Sequence, residues 1–212
     1  MPDPPLSRPG GLARLVGLDR SAPNPRQTLP SEPLRPWTVP NVIGFLRLAL
    51  IPVFLAVALS SADGTGPAIA ILFAAIAFGD YLDGFAARLT GQYSRLGALM
   101  DPLTDRLLVI SGVVVCWRFA LLPRWALALL AARELATIAL ARYAQTRRLE
   151  LRINWPGRIA VALLMAAVFF ALTGLHTVPD ILLYLGLLLA LLATALYVRS
   201  GLLQLRAPRS SI

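Results

Sequence analysis

Six long apolar segments constrain this chain more than any other feature of its sequence. They lie near residues 39–60, 67–87, 97–117, 123–143, 156–174 and 178–199. Each is about 20 residues long, the length that an α-helix needs to cross the roughly 30 Å hydrocarbon core of a bilayer. Hydrophobic residues make up 57% of the chain, more than a soluble core of this size needs. The sequence therefore predicts an all-α integral membrane protein, built as a bundle of six transmembrane helices.

The arginines are distributed unevenly along the chain. All 20 basic residues are arginines, against 11 acidic residues, and the net charge is +9. If the amino terminus lies in the cytoplasm, fifteen arginines fall on the cytoplasmic side of the predicted helices and only Arg118 and Arg124 on the other. Arg47, Arg106 and Arg133 lie inside predicted helices. This asymmetry follows the positive-inside rule, so it predicts a multi-pass protein of the cytoplasmic membrane with both termini in the cytoplasm, and no nucleic-acid partner.

The two ends of the chain lie outside the predicted helices. Residues 1–38 are rich in proline and arginine and predict a disordered cytoplasmic tail. Residues 39–200 form the predicted membrane domain, and residues 201–212 a second cytoplasmic tail. At the start of the first apolar segment, Asn41 is the residue expected to cap the helix, because its side-chain oxygen can accept a hydrogen bond from a free backbone N–H group.

Acidic residues interrupt the second and third apolar segments. Asp80 and Asp83 are three residues apart and Asp101 and Asp105 are four apart, so each pair shares a helix face, and the connecting loop brings the two faces together. Each intramembrane Asp costs roughly 2.5–3.5 kcal/mol, so the four need positive charge between them. Carboxylates with no neighbouring His or Cys favour two hard cations, Mg²⁺ or Mn²⁺, in a polar cavity that faces the cytoplasm.

Small and polar residues accompany the aspartates at fixed spacing. Gly84 and Gly97 leave room for two helices and a nucleotide to approach closely, and Arg88 lies on the same helix face as Gly84. The spacing D-x2-D-G-x2-A-R-x8-G-x3-D-x3-D runs from Asp80 to Asp105 without a gap. It resembles the signature of the CDP-alcohol phosphatidyltransferase family. The six apolar segments extend the resemblance from about residue 38 to residue 200.

The resemblance implies an enzyme that moves a phosphatidyl group from CDP-diacylglycerol to an alcohol. It implies that Asp80, Asp83 and Asp101 bind the two metal ions, and that Asp105 both contacts metal and accepts the proton of the attacking hydroxyl. The family positions that contact the CDP-linked lipid correspond to Asn41, Gly84, Ala87, Arg88, Ser94 and Gly97. A homodimer in the lipid bilayer is implied as well.

The acceptor is predicted to be glycerol 3-phosphate, because Arg133, Arg142 and Arg158 are predicted to reach the cavity and suit a dianionic phosphate. The Arg133-Glu134 pair resembles that of phosphatidylglycerophosphate synthases. Those enzymes often carry Gly-Lys-x-Lys-Thr where this chain has Gly-Arg-Ile-Ala-Val at 157–161. Phosphatidylglycerol, the acceptor of the related cardiolipin synthases, and an inositol phosphate are therefore alternatives. A membrane transporter or a catalytically silent scaffold is the non-enzyme alternative.

Overall fold

The computed structural model describes residues 33–146 and 155–206. Within these ranges the chain forms six α-helices and no strand. The helices are α1 Val39–Ser60, α2 Pro67–Thr90, α3 Arg95–Arg118, α4 Arg124–Thr146, α5 Trp155–Leu172 and α6 Thr177–Arg206. They coincide with the six predicted apolar segments, which confirms the all-α prediction. The predictions made for residues 1–32, 147–154 and 207–212 lie outside the described residues.

Helices α2, α4 and α6 extend three or more residues beyond the carboxyl ends of their apolar segments. Helix α2 continues past residue 87 to Thr90 and ends at Gly91, whose φ of 65° lies in the left-handed region that terminates many helices. Helix α6 continues to Arg206, so residues 201–206, predicted as tail, still belong to it. Leucine, glutamine and arginine favour the helical state even where the apolar segment has ended, and this accounts for the extension.

Three helices of the described chain are long and apolar enough to cross a membrane by length and composition: α1, α2 and the part of α6 from Thr177 to Leu196. The apolar part of α5 is shorter, and α3 and α4 carry charged residues within their length. Many large apolar side chains are exposed, among them Ile71 at 66%, Leu135 at 69% and Leu188 at 64%. Extensive exposed apolar surface is a property of membrane proteins, not of soluble monomers.

The described residues fall into two compact units. The first comprises the chain up to Ala58 together with Ile71–Ser111, and therefore holds most of α1, α2 and α3. Its core includes the Phe54 and Phe73 rings, whose centroids are 5.5 Å apart, and the fully buried Leu108. All four signature aspartates lie in this unit.

The start of α1 differs from the prediction. Thr38, not Asn41, caps the helix: the Thr38 hydroxyl oxygen accepts the Asn41 N–H group at 3.3 Å, and the Thr38 carbonyl accepts the Val42 N–H group at 3.0 Å. The prediction that Asn41 is the cap is wrong, because the helix begins at Val39 and already includes Asn41. A hydroxyl one residue before the helix satisfies the free N–H groups and leaves the Asn41 side chain available for other contacts.

The second unit comprises Leu59–Ala70 and the chain from Gly112 onward. Within it α5 packs along α6, and α4 also contacts α6. The loop between α1 and α2 is ordered by Asp63, whose carboxylate accepts hydrogen bonds from the backbone N–H group and the hydroxyl of Thr65, and these bonds lower the pKa of the Asp63 carboxyl. This unit carries the arginines predicted to bind the acceptor.

Candidate active site

An arginine from α1 lies between three of the four signature aspartates. Arg47 Nη1 is 2.8 Å from Asp83 Oδ2 and 3.3 Å from Asp80 Oδ1, while Arg47 Nη2 is 2.9 Å from Asp105 Oδ1. The Arg47 side chain is 3% exposed and that of Asp83 6%, whereas Asp80 and Asp105 are about half exposed at 49% and 52%. The guanidinium thus joins the acidic faces of α2 and α3, which the sequence predicted to meet.

Sequence reasoning missed this contact. It placed Arg47 inside a predicted helix and separately required positive charge between the aspartates, but it assigned that charge to metal ions alone. The signal was present, because an arginine in an apolar helix needs a negative partner as much as an intramembrane aspartate needs a positive one. Arg47 is further held by its Nε group, which donates a hydrogen bond to the Ile76 carbonyl at 3.0 Å.

A cavity of about 100 Å³ lies beside the acidic cluster. Asp83 and Asp101 line it, and they come from different helices. Five of the six residues predicted to contact the CDP-linked lipid line it as well: Asn41, Gly84, Ala87, Ser94 and Gly97. The structure therefore brings most of the predicted lipid-contacting residues to one place, next to two of the predicted metal ligands.

The sixth predicted residue, Arg88, lies one turn along α2 from Gly84. It is partly exposed, and its Nη1 atom is 3.4 Å from the position that a Cβ atom on Gly84 would occupy. A guanidinium there is close to the cavity although it does not line it. Arginine can bind phosphate through two parallel N–H groups, and contact of Arg88 with the CDP-linked lipid stays a prediction.

Asn41, Ser94 and Gly97 form a buried hydrogen-bonded network. Asn41 Nδ2 donates to the carbonyls of Arg35 and Pro36 at 2.9 and 3.1 Å. Ser94 Oγ donates to Asn41 Oδ1 at 2.8 Å and accepts the Gly97 N–H group at 2.9 Å. Asn41 is 2% exposed and Ser94 5%. The network fixes the start of α1 against the start of α3, so Asn41 and Ser94 shape the wall of the cavity. Their contact with lipid stays a prediction.

The donor set of the acidic cluster suits hard divalent cations, since it consists of carboxylate oxygens alone. In the described residues no three His, Cys, Asp or Glu side chains lie close enough to hold one ion in this conformation. The guanidinium of Arg47 lies between three of the carboxylates instead. The chemistry of the residues fits Mg²⁺ or Mn²⁺, and a pair of ions bound by the four aspartates stays a prediction.

The arginines predicted to bind the acceptor lie in the second unit. Arg133 Nη1 contacts Glu134 Oε2 at 2.8 Å, and Arg133 Nε donates to the Thr194 hydroxyl oxygen at 3.0 Å. Arg158 lies in the first turn of α5 and is exposed. Arg142 lies in α4, but its side chain is outside the described residues. Arg133 and Glu134, which are neighbours in the sequence, therefore form an ion pair within α4.

Three apolar helices of membrane length, together with an acidic cluster shared by two neighbouring helices, are typical of an α-helical membrane protein with a polar site. The sequence model of the CDP-alcohol phosphatidyltransferase family matches residues 37–194. The match includes the whole signature from Asp80 to Asp105. The chain belongs to this family.

Relatives with two different names resemble the chain. A Mycobacterium tuberculosis protein provisionally named a cardiolipin synthase is 44% identical over 101 residues, 47% of each chain. A Streptomyces coelicolor cardiolipin synthase (CMP-forming) is 43% identical over 105 residues, 47% of this chain and 48% of the relative. A Shigella flexneri CDP-diacylglycerol–glycerol-3-phosphate 3-phosphatidyltransferase is 29% identical over 185 residues, 83% of this chain and 97% of the relative. The alignment with the first two spans about half of their length.

Proposed function

We propose that the chain transfers the phosphatidyl group of CDP-diacylglycerol to a hydroxyl of a glycerol phosphate group and releases CMP. The observation that carries this proposal is the shared cavity, where Asp83 and Asp101 meet Gly84, Ser94 and Gly97 from the same 26-residue segment. A transporter or scaffold has no need of this combination at one cavity. The family match and the names of the relatives support the same reaction.

In the proposed reaction Asp80, Asp83, Asp101 and Asp105 would hold two Mg²⁺ or Mn²⁺ ions, which when bound supply positive charge to the pyrophosphate and the leaving CMP. Asp105 accepts the proton of the acceptor hydroxyl, and its side chain, 52% exposed, is accessible for that role. The acceptor oxygen then forms a bond to the lipid-bearing phosphorus as the bond from that phosphorus to CMP breaks. No covalent enzyme intermediate is needed.

The first candidate acceptor is glycerol 3-phosphate. It is supported by the similarity to the Shigella enzyme, which extends over 97% of that relative, and by the arginines of α4 and α5. Arg133 keeps only part of its hydrogen-bonding capacity for a ligand, since Glu134 and Thr194 already contact it. Arg158 is exposed and suits an anionic phosphate arriving from solution.

A second candidate acceptor is phosphatidylglycerol, which also presents a glycerol phosphate group. It is favoured by the higher identity, 43–44%, to relatives named as cardiolipin synthases. The single cation at 157–161, where phosphatidylglycerophosphate synthases often have two, points in the same direction because phosphatidylglycerol carries one phosphate charge. An inositol phosphate is a third candidate, supported only by the family resemblance.

One assay of the purified protein separates these acceptors. CMP release from CDP-diacylglycerol would be measured with Mg²⁺ and with glycerol 3-phosphate, phosphatidylglycerol, an inositol phosphate or no acceptor, beside an Asp83→Asn control. We expect CMP with glycerol 3-phosphate. CMP only with phosphatidylglycerol would replace the first candidate by the second, and no CMP with any alcohol would refute the proposed reaction.

We further propose that all six helices cross the cytoplasmic membrane, with both termini in the cytoplasm and the cavity open to that side. The arginine distribution supports this orientation. The charges that lower the hydropathy of α3 are the signature aspartates, Arg106 and the two terminal arginines, Arg95 and Arg118. Inward-facing carboxylates are compatible with a membrane helix when they are paired, as Asp105 is with Arg47. A homodimer is proposed on the family resemblance.

A further inference from the structure

The side chain of Arg47 is fixed along its whole length. Its Nε group donates a hydrogen bond to the Ile76 carbonyl, and its two Nη groups donate hydrogen bonds to carboxylates of α2 and α3. Its methylene groups pass over Gly79, where a Cβ atom would lie 2.7 Å from both Cγ and Cδ of Arg47. Real Cβ contacts are not this short. A side chain at position 79 and Arg47 in this position are therefore incompatible.

The contacts of Arg47 leave most of the carboxylate oxygens to other ligands. It donates hydrogen bonds to one oxygen of each of three carboxylates: Asp80 Oδ1, Asp83 Oδ2 and Asp105 Oδ1. The other oxygen of each carboxylate, and both oxygens of Asp101, take no hydrogen bond from Arg47. Arg47 therefore neutralises one negative charge of the cluster and contacts three carboxylates through one oxygen each.

We propose that Arg47 is a positioning residue, a counter-cation built into the fold that holds Asp80, Asp83 and Asp105 together whether or not divalent ions are bound. The inference rests on the proposed function only in its view of the cluster as a metal site. Closely spaced carboxylates repel one another, and the repulsion is strong where the surroundings have a low dielectric constant. Arg47 reduces that repulsion in the empty site and keeps α2 and α3 in register for the next metal-binding event.

If Arg47 supplies the counter-charge, the stability of the protein should depend on divalent metal once Arg47 is removed. In Arg47→Met the buried Asp83 loses the one ion-pair partner that it has within residues 33–146 and 155–206, and an unpaired buried charge is strongly destabilising. Divalent cations would then have to supply the missing charge. A residue that served packing alone would lower stability by the same amount with and without metal, so the metal dependence of the loss separates the two roles.

The test measures the Tm of purified protein in detergent, in excess EDTA and in Mg²⁺, for the wild type and Arg47→Met. We expect Arg47→Met to lose several degrees in EDTA and to regain most of that loss in Mg²⁺, so that its increase in Tm on adding metal exceeds that of the wild type. An equal loss of Tm in both conditions would overturn the proposal.

A double-mutant cycle tests the counter-charge without any metal. In EDTA, Arg47→Met with Asp83→Asn should have a higher Tm than Arg47→Met alone, because the second change removes the unpaired charge. A double variant no more stable than Arg47→Met would contradict the proposal. This result does not depend on turnover, so it is distinguishable from failure of the proposed reaction, which would show as absence of CMP release by the wild type in Mg²⁺.

Gly79→Ala displaces Arg47 while keeping its charge, and it serves where Arg47→Met does not fold. We expect a larger increase in Tm on adding Mg²⁺ than in the wild type. Gly44→Ala is the matched control, since a Cβ atom there would lie an ordinary 3.5 Å from Met100 Cε. If the Tm of Gly79→Ala equals that of Gly44→Ala in both EDTA and Mg²⁺, the position of Arg47 does not affect stability. That result would overturn the proposal.

Discussion

The tightest glycine at the cavity, Gly97, gives the most direct test of the site geometry. A Cβ atom on Gly97 would lie 2.8 Å from Asn41 Oδ1 and 3.2 Å from Ser94 Oγ. Neither neighbour can move away easily, because both are almost fully buried and Asn41 is also bonded to two backbone carbonyls. Gly97→Ala should therefore break the hydrogen bond between Ser94 and Asn41.

The size of the effect follows from these contacts. A buried polar group left without its partner costs about 1–3 kcal/mol. Alanine is favoured over glycine in a helix by roughly 0.5–1 kcal/mol, which offsets part of the loss. We expect Gly97→Ala to lower the free energy of unfolding by roughly 1–2 kcal/mol. Because Gly97 also lines the cavity, the KM for CDP-diacylglycerol should rise at the same time.

Two measurements check this expectation: the Tm in detergent, and CMP release as a function of CDP-diacylglycerol concentration. Gly44→Ala is the control, since it gains the same helical preference without a clash and should keep the wild-type Tm or exceed it. Ser94→Ala should reproduce the loss of the hydrogen bond without narrowing the cavity. If the Gly97→Ala variant has the same Tm as Gly44→Ala and the wild-type KM for CDP-diacylglycerol, then Gly97 is not the tight contact described above.

Three further predictions concern the metal, the base and the topology. Excess chelator should abolish CMP release, and Mg²⁺ or Mn²⁺ should restore it with no requirement for Zn²⁺; full turnover in chelator would count against the metal site. Asp105→Asn should lower kcat by about 10²–10⁴-fold while equilibrium binding of labelled CDP-diacylglycerol largely survives, and near-normal kcat would mean that another group is the base. After replacement of Cys116, a cysteine at His176 should react with an impermeant reagent added outside the cell and one at Arg95 should not; the reverse pattern would invert the proposed orientation.

The sequence predicted the parts of this structure that depend on local pattern. The apolar segments located all six helices, and the fixed spacing from Asp80 to Asp105 identified residues that meet at one cavity. Both signals are carried by neighbours along the chain, where helical periodicity determines which side chains share a face. The excess length of α6 was missed because its last residues are helical without being apolar.

The contacts that the sequence left unassigned are those between distant segments. Arg47 and Asp105 are 58 residues apart, and Asn41 and Ser94 are 53 apart. Several arginines of the sequence could pair with the aspartates. The packing of α1 against α2 and α3 decides which one does, and the periodicity of α1 does not predict that packing. Asn41 illustrates the same limit, since Thr38 satisfies the helix end and the Asn41 amide is then used to bind a remote loop.

The arrangement around Arg47 also has a consequence for the biogenesis of the chain. Arg47 is synthesised 33 residues before Asp80 and 58 residues before Asp105, so in the proposed topology we expect α1 to enter the bilayer before its charge is paired. Such an arginine costs about 2.5–3.5 kcal/mol at the centre of a helix, which the apolar remainder of α1 has to outweigh. Helix α2 arrives with two acidic residues but finds a cation already in place. In the proposed topology we therefore expect insertion of α2 to depend on α1, because Arg47 is the partner of Asp80 and Asp83.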